Sequence, residues 1–279
     1  MLPSFLLALR EGLEAALIVG IVLGALRKMN RSDSAPAVWT GAAAAAIVSG
    51  AAAVALTMLG YELKDQAEAI FEGLTMLLAA GILTWMIFWM SRQSHTMQAN
   101  LEAGVQKAAG GGGRALFALA FVAVLREGVE LALFLTAATF TSNATQTILG
   151  GLLGLGAAIL LGGLLFAASV RLDLRRFFTM TGILLIFFAA GLVAYGVHEL
   201  NEVGWIPSII EHVWDIGRIL REDSATGEIL KALFGYNANP SLTEVLAYLG
   251  YFGAVLLGLR AAGRRSRLAG SRSGTAAQH

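Results

Sequence analysis

Cysteine is absent from all 279 residues. Its absence excludes disulfides, thiolate metal ligands and a cysteine nucleophile, and it removes redox usage as a guide to compartment. Charge is scarce as well, at 14% of residues with a net of +1, so bulk charge points to no partner and nothing in it points to nucleic acid. Only four histidines occur, and none accompanies the acidic motifs described below. The Glu-x-x-His of di-metal carboxylate sites, the His-Glu-x-x-His of zinc proteases and any ligand set for copper or haem are therefore missing, and no prosthetic group is expected. What is abundant is apolar: 57% of residues are hydrophobic and the mean hydropathy is +0.69. That composition belongs to an all-α polytopic membrane protein whose solvent is the lipid bilayer. Thirty-three glycines suit membrane helices that approach one another closely.

Seven apolar runs are long enough to cross a bilayer: Pro3–Leu26, Val38–Leu59, Ala67–Met90, Ala115–Phe140, Thr147–Arg171, Phe177–Val197 and Leu242–Leu259. The first lacks a basic leader and carries charge where a signal peptide is apolar, so it reads as a retained span. Between the runs, basic and non-basic loops alternate. Arg27, Lys28 and Arg31 mark one loop, Arg92, Lys107 and Arg114 a second, Arg171, Arg175 and Arg176 a third, and five arginines the tail. By the positive-inside rule the N-terminus lies outside and the C-terminus in the cytoplasm of a multi-pass protein in the cell membrane.

Two stretches are duplicated. Arg10-Glu11-Gly12-Leu13-Glu14 recurs as Arg126-Glu127-Gly128-Val129-Glu130, and the match widens to LREGLEAALIVG against LREGVELALFLT. The copies sit on spans one and four. Three spans separate them, so the second copy enters the membrane from the opposite side. The expectation is a 3+3 inverted repeat plus one helix, the organisation of transporters with alternating access. The divisions are 1–114, a first three-helix repeat; 115–200, its inverted counterpart; 201–241, an extracytoplasmic loop; 242–262, the seventh helix; and 263–279, a basic tail expected to be disordered. Gly41, Ala45, Ser49 and Ala53 on span two, and Gly150, Gly154, Ala158 and Gly162 on span five, read as packing stripes. In the long loop, Ile209, Ile210, Val213, Trp214, Ile216, Ile219 and Leu220 predict a short amphipathic helix, and Gly110–Gly113 a flexible link.

Charge inside a span costs roughly 2.5–3.5 kcal/mol per residue on insertion scales, so the motifs need a reason. Glu11 and Glu14 share a helix face, as do Glu127 and Glu130. If the repeats face each other, four carboxylates converge. Arg10 and Arg126 each stand four residues before a Glu and can neutralise one on their own helix, which by itself is a structural role. Two Arg offset only two of four Glu, and buried carboxylates left over take up a proton or a cation. Carboxylate oxygens are hard donors that suit iron or manganese. Gly12 and Gly128 within the motifs permit close contact or local unwinding. Span three adds Glu68 and Glu72, and the end of span six adds His198 and Glu199, as an access or secondary metal site. Trp85, Phe88 and Trp89 read as an interfacial belt, His95 and His212 as solvent-facing, and Met86, Met90 and Met97 as packing. A metal transporter, a proton-coupled carrier using the Glu pairs as a relay, an intramembrane di-metal enzyme and a metal sensor all remain open on the residues alone.

The duplicated motif, the Phe71-Glu72-Gly73 stretch followed by Leu83-Thr84-Trp85-Met86, the His198-Glu199 pair and Phe234-Gly235-Tyr236 together resemble the oxidase-dependent iron transporters. These are the bacterial EfeU-type permeases and the fungal high-affinity iron permeases, and the similarity runs to about Leu259. The second motif departs only in Val129 for Leu13. The resemblance implies that the chain is no enzyme but an iron permease of the cytoplasmic membrane, with iron as substrate. It implies metal-handling carboxylates at Glu11, Glu14, Glu127 and Glu130, with Arg10 and Arg126 orienting them. It also implies a periplasmic or extracellular iron-oxidising partner that delivers ferric ion. Ferric against ferrous ion, other divalent metals and the oligomeric state are left open by it.

Overall fold

The computed structural model describes residues 1–93, 97–167, 174–217, 220–221 and 224–275. Among these it is helical throughout, with no strand: α1 (Leu2–Lys28), a 3-10 turn (Ser32–Ser34), α2 (Ala35–Glu62), α3 (Gln66–Gln93), α4 (Met97–Gly110), α5 (Gly113–Thr141), α6 (Ala144–Ala167), α7 (Leu174–Glu202), α8 (Ala225–Phe234) and α9 (Leu242–Thr275). Pro3 and Pro36 stand in the first turns of α1 and α2, where a missing N–H costs nothing. Arg27 and Lys28 close α1, favourably for the helix dipole. Each apolar run read from the sequence falls on one helix, except that 168–171 and His95 lie outside the described residues.

Among the described residues, five helices are long and apolar enough to cross a membrane, over Ser32–Gly60, Gln66–Trp89, Ala144–Leu165, Arg176–Glu202 and Leu242–Ala261. The other two long helices, α1 and α5, have 27 and 29 residues but carry the charged motifs at mid-length.

The helices pair in a regular pattern. α1 packs along α6, α2 along α5 and α3 against α7, while α1 and α5 lie against each other. The core is built from α1, α3, α5 and α7, where Leu7, Met76, Leu83, Phe134, Leu185 and Leu192 are essentially inaccessible. α2 and α6 flank it and turn Ile47, Val54, Met58, Ile159 and Leu160 outward, as expected of lipid-facing surfaces. The two small-residue stripes lie at these flanks. A Cβ on Gly41 would come within 2.5 Å of the Phe117 carbonyl on α5, and one on Gly154 within 2.9 Å of the Leu9 amide on α1. The stripes therefore do pack helix on helix.

Three expectations are overturned. Among the described residues between 203 and 224 there is no helix. Ile209 has φ 59°, and the amides of Val213 and Ile216 donate to the carbonyls of Pro240 and Ala238 rather than up a helix. The loop's helix is α8 instead, started by Ser224, whose Oγ accepts from the Gly227 amide at 3.0 Å, and ended by Gly235 in the left-handed region. Gly235 packs backbone to backbone on Gly191 of α7, which needs a residue without a side chain on each side. Second, only Gly111 and Gly112 separate α4 from α5, so the glycine run is a tight turn, with φ 77° at Gly112. Third, α9 runs on through the basic tail to Thr275, where disorder was expected.

Candidate metal centre

The motif carboxylates meet where α1 and α5 lie together. Oxygens of Glu11, Glu14 and Glu127 all fall within 4.8 Å of one another, and all three residues are buried. An oxygen of Glu11 and one of Glu127 thus face each other across the two helices, an approach of two carboxyl groups that a proton or a cation relieves. Glu130 completes the set, its side chain 11% exposed. Each of the four carboxyl groups keeps one buried oxygen with no hydrogen-bond partner: Glu11 Oε2, Glu14 Oε1, Glu127 Oε2 and Glu130 Oε2. Buried acceptors are rarely left so, and the converging oxygens of Glu11, Glu14 and Glu127 form a cradle of hard donors suited to a hard cation.

The arginines occupy the positions that the spacing predicted. Arg10, fully buried, reaches Glu11 Oε1 at 3.5 Å and Glu14 Oε1 at 3.4 Å. Its Nη1 also lies 3.3 Å from the sulfur of Met86, so Met86 is a contact of the motif as well as a core residue. Arg126 donates from Nε to Glu130 Oε1 at 2.9 Å but is 39% exposed. Its guanidinium lies 4.9 Å from the ring centre of Trp89 and 5.8 Å from that of Trp85. The two indoles stack on each other. The belt assigned from sequence thus includes a cation–π platform for the second motif. Only tertiary packing brings α3 to that arginine.

Gly12 and Gly128 seat the two motif helices. A Cβ on Gly12 would lie 2.7 Å from that of Ala158 on α6, and one on Gly128 would collide with Ser49 on α2. Beside them opens a cavity of about 720 Å³ between α1, α2, α5 and α6. Glu11, Glu127 and Ser49 stand in its wall with many Ala and Gly, and it extends to Arg27 and Trp39. Sixteen residues separate Glu11 from Arg27, about 24 Å along a helix.

Glu68, Glu72, His198 and Glu199 form a second group where α3 begins and α7 ends. Glu72 is close enough to Glu199, Glu68 and Glu202 to interact by charge, and Glu199 to Glu202, His198 and Glu68. Gly73 makes this possible: a Cβ there would lie 3.0 Å from the Gly196 carbonyl and 3.2 Å from the Glu199 Cβ. His198 is bound on one side by Glu244 of α9, at 3.0 Å, a residue whose one local signal is the Ser-x-x-Glu pattern it makes with Ser241. His212 is exposed, as expected.

Comparison with known proteins places the chain in a family. The iron permease FTR1 family matches residues 1–268. The chain belongs to this family. It is 35% identical to the ferrous iron permease EfeU of Yersinia pestis over 254 residues, covering 90% of each chain. The same protein of Escherichia coli O157:H7 is 35% identical over 254 residues, 90% of this chain and 92% of the relative. That of Yersinia pseudotuberculosis is 35% identical over 250 residues, 88% of each. No solved structure matches. The chain is accordingly a multi-pass membrane permease for iron and not an enzyme, so the di-metal enzyme left open by its residues is excluded.

Proposed function

We propose that iron crosses the cytoplasmic membrane through the four motif carboxylates. The observation that carries this is the convergence of Glu11, Glu14 and Glu127 within 4.8 Å, all three buried, with Glu11 Oε2 and Glu127 Oε2 lacking a hydrogen-bond partner. Four carboxylates and two arginines sum to a formal charge of −2, which one divalent ion neutralises. That balance, and the ferrous name of the relatives, favour iron(II) over the ferric ion implied by the resemblance. An external oxidising partner is called for only by a ferric substrate.

In this reading α1 and α5 cross the membrane with the five apolar helices. The N-terminus is outside and the C-terminus inside, and α1–α3 and α5–α7 are inverted repeats. The helix pairing supports it. Exchanging the repeats turns the α1–α6 pair into α5–α2 and leaves α3–α7 and α1–α5 unchanged, and these are the pairs that form. Individual contacts follow the same exchange: Gly41 on Phe117 corresponds to Gly150 on Met1, and Gly12 on Ala158 to Gly128 on Ser49. An ion is collected at Glu68, Glu72, His198 and Glu199, binds between the ExxE faces and leaves along the cavity toward Arg27 and Trp39. Opposed movement of the two repeats alternates access.

The test is iron uptake by the purified chain in liposomes, with iron offered as ferrous ion and as chelated ferric ion, and manganese and zinc alongside. Saturable ferrous uptake, lost in Glu11→Gln and Glu127→Gln, is the expected result. Uptake retained in both variants would sink the site assignment.

A further inference from the structure

His198, at the end of α7, is held from two sides. Its Nδ1 lies 3.0 Å from Oε1 of Glu244 and its Nε2 lies 3.5 Å from Oε1 of Glu202. Glu244 belongs to α9, the helix outside the repeats. Ser241 and Glu244 form a capping box at its start: Ser241 Oγ accepts from the Glu244 amide at 3.3 Å, and Glu244 Oε1 accepts from the Ser241 amide at 3.0 Å. A capping-box carboxylate ordinarily faces water, yet this one is 3% exposed. Asn237 Nδ2 donates to its Oε2 at 2.8 Å. Two amide donors therefore already occupy a carboxylate that has taken on a third partner, the imidazole.

That arrangement sets the chemistry of the ring. A carboxylate surrounded by donors asks the imidazole to donate too, so the proton of neutral His198 sits on Nδ1 and the lone pair on Nε2. Nε2 points at the exposed Glu202, and the ring lies within the field of Glu199. A histidine whose far nitrogen is fixed by a buried carboxylate is the form in which proteins present imidazole to a metal ion.

We propose that Glu244 is a positioning residue for ion capture: from the helix outside the repeats it fixes His198 as the Nδ1–H tautomer, so that Nε2, with Glu202, is offered to an arriving divalent cation. This rests on the reading of His198 as part of the access group. It gives α9 a part in recognition and makes Glu202 a ligand rather than a solvated helix end.

The test compares wild type, Glu244→Gln, His198→Gln, the double variant and Ser241→Ala in liposomes supplied with ferrous iron. Glutamine keeps the capping box but not the anion. Glu244→Gln and His198→Gln should each raise KM about ten- to hundredfold with kcat unchanged. The double variant should be no worse than His198→Gln alone. Ser241→Ala, which loses the cap and keeps the dyad, should lower Tm and leave KM where it was. An unchanged KM in Glu244→Gln, or additive losses in the double variant, overturns the proposal. A readout independent of transport is nitrogen NMR of the histidine-labelled chain. His198 should carry its proton on Nδ1 in the wild type and lose that preference in Glu244→Ala, which removes the acceptor itself; an Nε2–H wild type overturns the proposal even if no iron moves. Absence of wild-type uptake alongside the expected tautomers would instead fault the transport reading.

Discussion

Carboxyl oxygens of Glu11 and Glu127 lie within 4.8 Å of each other, although 116 positions separate the two residues in the chain. Each stands on its own copy of the motif, and each keeps an oxygen unpartnered in the protein interior. Glu11→Gln and Glu127→Gln preserve size and the capacity to hydrogen bond, so both variants should fold with little change in Tm. Both should lose saturable iron uptake. Loss of the folded protein, rather than of uptake, would recast the pair as structural.

The two arginines should behave differently although their motifs match. Arg10 is fully buried between Glu11 and Glu14. Arg10→Met strands two carboxylates and should cost about 3–5 kcal/mol, the penalty for breaking a buried pair. Arg126 is 39% exposed and leans on Trp89, so Trp89→Leu should cost only about 0.5–1 kcal/mol. Thermal unfolding of both in the same detergent compares them. Equal losses would contradict the asymmetry.

Close packing of the motif helices can be exchanged between partners. Gly12→Ala places a Cβ 2.7 Å from that of Ala158 and should cost about 1–3 kcal/mol by overpacking. Adding Ala158→Gly should restore most of it. Gly128→Ala with Ser49→Gly should repeat the result in the second half. Failure of either rescue would show that the glycine is needed for something other than room.

The inner half of the route is testable by filling it. Ala46 lines the cavity from α2, a helix that carries none of the four carboxylates. Ala46→Trp should depress uptake severalfold while leaving equilibrium binding of manganese(II), followed by electron paramagnetic resonance, as in the wild type. Normal uptake in this variant would mean that the ion leaves by another path.

Because the chain has no cysteine, a single introduced thiol reports its own side of the membrane. Thr145→Cys and Thr226→Cys should react with an impermeant maleimide on intact cells, and Ser32→Cys only after permeabilisation. Labelling of Ser32→Cys in intact cells would reverse the orientation or remove α1 as a span.

The sequence by itself determined the long apolar helices, the duplicated motif and the i,i+4 pairing of each arginine with its glutamate, because these depend on periodicity and spacing within one helix. The apolar runs and small-residue stripes were legible for the same reason. The partners across helices were not. Nothing local to Arg126 announces Trp85 and Trp89, nothing local to His198 announces Glu244, and Met86 looked like any core methionine until Arg10 reached it. The loop shows the same division. Its apolar residues predicted a helix, but the amides of Val213 and Ile216 found carbonyls beside α9, and a backbone donor satisfied at long range has no need of a helix. Local spacing fixes which groups share a face; only the packing of seven long helices decided which faces meet, and so where the four carboxylates, the aromatic platform and the held histidine came to stand.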